Sequence, residues 1–112
     1  MDATAQSARA HRVRELNDAF RQTFTGGVVT DGVAALPESD LAQLLERVRR
    51  FDEFSKDNDP YGEHDFGSLD LSGQTYFFKV DYYAPDMEGG SEDPSDPAKT
   101  TRVLTIMRAD EY

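Results

Sequence analysis

Between Ala8 and Phe24 the apolar residues Val13, Leu16, Phe20 and Phe24 recur at spacings of three and four. That period predicts an amphipathic helix with its arginines on the outer face. Gly26 and Gly27 are expected to stop it, because glycine readily takes the left-handed conformation that ends helices. The apolar run Val28 to Leu36 reads as a strand, or as two short strands broken at Asp31-Gly32, a tight-turn dipeptide. Pro37 closes it, and Leu41, Leu44, Leu45, Val48 and Phe51 form the stripe of a second helix from about Ser39 to Phe51. Glu38 suits the start of that helix and Arg47, Arg49 and Arg50 its end, where each complements the helix dipole.

The period then changes to two. Gln74 to Tyr83 is the clearest strand, with Tyr76, Phe78, Val80 and Tyr82 on one face and Phe77, Lys79, Asp81 and Tyr83 on the other. Phe66 to Leu71 reads as a strand before it, across a Ser72-Gly73 turn, and Thr101 to Met107 as a strand after it. Asp52 to Gly62 and residues 84–99 are polar and rich in proline or glycine, and read as loops, the second one free to move. The predicted fold is α+β: two helices from the N-terminal half packed on a small, mainly antiparallel sheet, in the order α-β-α-β-β-β. The whole chain, 1–112, is expected to be one domain, frayed over residues 1–7.

Composition sharpens this picture mainly through charge. Residues 1–50 carry seven basic and seven acidic side chains, and residues 51–112 carry five basic and fifteen acidic, so the net charge of −10 belongs to the second half. Such a surface repels nucleic acid and anionic membrane and attracts basic proteins. No segment approaches the length of a membrane helix, and Met1 to Ala10 contains no apolar run of the signal-peptide kind. With no cysteine there is no disulfide or thiolate chemistry, and a cytoplasmic location is expected.

Four segments together carry a resemblance. They are Asn58-Asp59-Pro60-Tyr61-Gly62-Glu63-His64-Asp65-Phe66-Gly67, Lys79-Val80-Asp81-Tyr82-Tyr83, Asp93-Pro94-Ser95-Asp96-Pro97, and Thr101-Arg102-Val103-Leu104-Thr105-Ile106-Met107. Over about residues 12–112 the chain resembles an uncharacterised family of small bacterial proteins, a domain of unknown function often encoded on plasmids and other mobile elements. The resemblance implies a genetic setting and transfers no catalytic residue.

The densest polar cluster is Asp57, Asp59, Glu63, His64 and Asp65. Against a calcium-binding loop, Asp57, Asp59 and Gly62 fit the first, third and sixth positions, but Tyr61 fails the fifth and Ser68 stands where a bidentate glutamate belongs. No metal ligand set and no cofactor is therefore assigned. His64 could carry a proton, oriented by Asp65 or Asp81, in an acid–base or metal-dependent enzyme centred on Gly62 to Gly67. No nucleophile motif or phosphate-binding loop accompanies it, and no catalytic residue is assigned. In a purely structural loop, His64 and Asp65 would instead satisfy backbone groups while Gly62 and Gly67 permit a sharp turn. His11 is expected at the surface, and Tyr76 and Tyr82 in the sheet core.

The leading expectation is an accessory binding protein whose acidic half docks on a basic protein surface. An anti-restriction or anti-CRISPR inhibitor would suit the implied setting. Its candidate binding residues are Tyr61, Glu63, His64, Asp65, Asp81, Tyr83, Asp93 and Asp96. A homo-oligomeric structural module, paired through a strand edge or the arginine face of the first helix, is a third reading. Two acidic loops, 52–65 and 84–96, hold most of the charge; lying together they would form one surface.

Overall fold

The computed structural model describes residues 3–112, with side chains from Ser7 onward. Helix α1 spans Ala3–Thr23, so residues 3–7, expected to fray, are helical; residues 1–2 of that expectation lie outside the described part. The physical reason is the alanine-rich start, which favours helix without needing an apolar stripe. Neither Gly26 nor Gly27 takes the left-handed conformation expected of a stop signal. Arg49 meets the end of α1 instead, donating to the Phe24 carbonyl at 3.3 Å with its guanidinium 4.6 Å from the Phe24 ring. Gly27 serves a close approach: a Cβ there would stand 3.3 Å from the Leu104 carbonyl oxygen.

The run Val28 to Leu36 is not a long strand. It forms a two-residue strand, β1 (Val28–Val29), and then a single helical turn, α2 (Asp31–Ala34). The deciding contacts come from the far end of the chain. Glu111 accepts hydrogen bonds from the Thr30 hydroxyl at 2.7 Å and the Gly32 N–H at 2.9 Å. Helix α3 (Glu38–Arg49) follows, with Glu38 and Asp40 in its first turn and Arg47 and Arg49 in its last. Strands β2 (Phe66–Leu71), β3 (Gln74–Tyr83) and β4 (Thr101–Arg108) complete an order of α-β-α-α-β-β-β, one helical turn more than predicted. The fold class is α+β, as expected.

The four strands lie in the order β1-β4-β3-β2, antiparallel except for the short parallel β1–β4 pair. A two-residue turn joins β2 to β3, with Ser72 at φ 52° and Gly73 at φ 81°. One sheet face packs against the helices: Leu69, Tyr76, Phe78, Val80, Leu104 and Ile106 meet Phe24, Val33, Leu44, Val48 and Phe51. Fully burying a side chain such as Phe78 contributes about 1.5–3 kcal/mol. Gly67 is set by this core rather than by a turn, correcting the expectation of a sharp bend there. It lies inside β2, and a Cβ on it would come within 2.2 Å of the Phe78 ring and 2.9 Å of Phe51. The opposite sheet face carries Phe77, Lys79, Asp81 and Tyr83, with Tyr112 packed on Phe66 and Phe77. Among the described residues no helix is long and apolar enough to cross a membrane.

Candidate functional site

Strand register decides where the acidic loops lie. The 52–65 loop ends at Asp65, whose carbonyl accepts from Val80 N–H late in β3. The second loop leaves β3 at Tyr83 and re-enters at Thr101, its partner in β4. Both loops therefore emerge at the same end of the sheet. The second loop is well tied down. Ser91 N–H donates to Tyr82, Ser91 and Thr100 hydroxyls bond at 2.8 Å, and residues 97–99 form a short 3-10 turn.

Asn17, on α1 and fully buried, joins the two loops. Its amide donates to the Glu63 carbonyl at 2.9 Å and to the Tyr82 hydroxyl at 2.7 Å. Its oxygen accepts from Arg102 Nε at 2.7 Å, and the same guanidinium donates to the Pro94 carbonyl in the second loop. Tyr82 in turn donates to Glu63 Oε1 at 3.0 Å, and burial pushes its hydroxyl pKa far up. Tyr82 thus stays a neutral donor. Arg14 reaches the Gly62 carbonyl at 3.2 Å, and Arg9 pairs with Asp93 at 3.3 Å. The outer arginines of α1 are therefore partly engaged in holding both loops.

A second network sits one turn further along α1. Arg21 is 2% exposed, although its polarity suggested the outer face. It donates to the Val48 and Phe51 carbonyls at the C-terminal end of α3, and to Asp18 at 3.1 Å. The signal was present in the spacing: Val13, Asn17, Arg21 and Phe24 fall on one helical stripe. Asp18 also faces His64 Nδ1 at 2.9 Å, while His64 Nε2 faces Asp59 at 3.6 Å. The imidazole stacks flat on Phe54, with centroids 3.8 Å apart. His64 stands at φ 56°, a left-handed conformation that costs a non-glycine residue about 1–2 kcal/mol. The buried Asp59 carboxylate compensates by accepting the N–H groups of Glu63 and His64 at 3.0 and 3.1 Å.

These contacts reassign several roles. The carboxylates that orient His64 are Asp18 and Asp59, not Asp65 or Asp81. The backbone groups expected to be satisfied by His64 and Asp65 are satisfied by Asp59. Asp65 is half-buried, and its pKa is raised by that burial and by Glu63, with smaller pushes from Asp59 and Asp81. Asp81 pairs with Lys79 at 3.0 Å on the helix-free sheet face, where Tyr83 also lies half-buried. Those two do not join the His64 network. Asp93 accepts from the hydroxyl and N–H of Ser95, which hold its carboxyl below the usual range with help from Arg9. Asp96 caps the 3-10 turn through Ala98 N–H at 2.9 Å. Tyr61 is 80% exposed, and Met87, in the other loop, 49%. His11 is at the surface beside Glu15.

A family model described as a protein of unknown function, DUF3768, matches residues 29–111, about three-quarters of the chain. The chain belongs to the DUF3768 family. No curated protein and no solved structure matches it. In this DUF3768 protein, His64 Nδ1 is hydrogen-bonded to Asp18, and Nε2 stands 3.6 Å from Asp59, beyond hydrogen-bond reach. Among the described residues no three His, Asp or Glu side chains are grouped to hold a metal ion. What the two loops present outward is largely carboxylate: Asp52, Glu53 and Asp57 of the first and Asp86, Glu88 and Glu92 of the second are exposed, as are Tyr61 and Met87.

Proposed function

We propose that this DUF3768 protein is a non-enzymatic binding protein whose acidic end docks on a basic protein surface. The observation that carries this reading is the convergence of the two acidic loops at one end of the sheet, locked together through Asn17. A pre-formed surface avoids the ordering cost that a loose acidic segment meets on binding. Tyr61 and Met87 supply exposed apolar area amid the carboxylates, the combination that interfaces favour.

A basic surface that ordinarily holds DNA is the partner this chemistry suits best. With the mobile-element setting that the family resemblance implies, the reading extends to an inhibitor of a defence nuclease, of anti-restriction or anti-CRISPR type. The charges to reverse are Asp57, Glu88 and Glu92, which make no described side-chain hydrogen bond; Asp93 and Asp96 are engaged in loop structure. In a nuclease–DNA binding assay the purified protein displaces DNA, more strongly at low salt, and the triple lysine variant does not. Displacement by that variant at wild-type strength sinks the reading.

A further inference from the structure

The sheet ends at β2, and the phase of that strand can be read from its ladder. The Val80 N–H bonds the Asp65 carbonyl at 2.8 Å, so Asp65, Gly67, Leu69 and Leu71 direct their N–H and C=O groups at β3. Phe66, Ser68 and Asp70 direct theirs outward. Among the described residues one of these outward groups has a partner: the Asp70 carbonyl accepts from Arg47 Nη1. The N–H and C=O of Phe66 and Ser68 have none. The usual protections of a sheet edge are few here, since β2 contains no proline and no lysine.

Beside this edge lies a cleft of about 280 Å³. Leu69 and Phe51 form its apolar wall, and no residue of β3 or β4 lines it, so it opens on the outer side of β2. Its charged rim is already partly matched. Glu46 pairs with Arg50 at 2.6 Å, and Arg47 is turned to the β2 backbone. Asp52 and Glu53 remain, exposed and without a described side-chain partner.

The geometry points to β2 as the docking edge for an extended segment of a basic partner, added as a fifth strand with a lysine or arginine in the cleft. The segment's backbone would take the free groups of Phe66 and Ser68. Alternate side chains would fall on the helix side of the sheet, over the cleft. There a long cationic side chain lays its methylenes on Leu69 and Phe51 and its charged head beside Asp52 and Glu53. The inference rests on the proposed basic partner but places part of the contact along the outer edge of the sheet, where the first acidic loop leaves α3.

The probe is a short capped peptide alternating lysine with threonine, with a glutamate-for-lysine peptide as control. It is titrated at low salt into isotope-labelled protein while amide shifts and hydrogen exchange are followed. The expected result is protection of the Phe66 and Ser68 amides by the lysine peptide alone. Ser68→Pro removes one outward N–H without touching the β3 ladder and should weaken binding about tenfold. Asp52→Lys with Glu53→Lys should do the same, and urea midpoints confirm that each variant folds. If the peptide shifts only the 57–61 and 86–92 amides, and only reversal of Asp57, Glu88 and Glu92 weakens it, the edge inference is overturned while the acidic-end reading stands. If nothing binds, the edge inference is overturned, and the acidic-end reading is decided by the displacement assay. Protection of Ser68 in concentrated protein alone, with dimers in sedimentation, overturns the inference in favour of pairing between two copies.

Discussion

Replacing Arg21 by methionine tests the most unusual feature of the packing. The methionine keeps an apolar stem near Phe54 and Phe78, which lie 5.2 and 5.6 Å from the native guanidinium. It removes all three hydrogen bonds: to the Val48 carbonyl at 3.1 Å, the Phe51 carbonyl at 3.0 Å and Asp18 at 3.1 Å. Charged hydrogen bonds contribute about 1.5–3 kcal/mol each. Their sum overstates the loss, because the variant no longer desolvates a guanidinium. A buried ion pair broken from one side typically costs about 3–5 kcal/mol, and that is the expected destabilisation. It is a large share of a domain stability of about 5–15 kcal/mol. In urea, with a slope near 2 kcal/mol/M, the midpoint should fall by about 2 M at unchanged slope. Arg21→Lys keeps the charge but not the planar fork and should fall between. A loss below about 1 kcal/mol for methionine would refute the claim that Arg21 ties α1 to the end of α3.

Further outcomes follow from the same contacts. Gly67→Ala forces a methyl into the Phe78 and Phe51 rings and should cost about 1–3 kcal/mol, measured by denaturant unfolding. Tyr82→Phe leaves the Asn17 amide and Glu63 each short of a partner and should cost about 1–3 kcal/mol while leaving the sheet intact by circular dichroism. Asp65→Asn should stabilise the protein at neutral pH. The folded-state pKa of Asp65 is raised, so ionisation there opposes folding above that pKa, and the penalty disappears as pH falls toward the unfolded value of 3.8. Thermal melts across that range check the sign: the advantage of the asparagine variant should shrink with acidification, and a variant less stable at pH 7 contradicts it.

Where the sequence was legible, simple periods carried the information. The alternation from Tyr76 to Tyr83 gave β3 its two faces, and Ser72-Gly73 gave the hairpin. The local pattern misled between Val28 and Leu36, because the residue that organises α2 is Glu111. Asn17 and Arg21 were legible as members of a stripe, but polarity was equated with exposure. Their acceptors are the backbone carbonyls of Glu63, Val48 and Phe51, which no side-chain pattern marks as acceptors. The acidic loops were visible as composition, while their meeting at one end depends on the pairing of Tyr83 with Thr101 and of Phe66 with Lys79. The role of Gly67 was hidden for a similar reason, since the rings it accommodates come from α3's end and from β3.

The central claim is that the acidic end is a docking surface, and the most direct test is partner binding by a surface-only variant. Basic proteins retained at low salt by the wild-type chain are purified, and their affinities are measured for wild type and for Asp57→Lys/Glu88→Lys/Glu92→Lys. The account predicts a partner that binds wild type, releases as salt rises and binds the triple variant at least about tenfold more weakly, at unchanged urea midpoint. Equal affinity for both proteins, or affinity indifferent to salt, would contradict it.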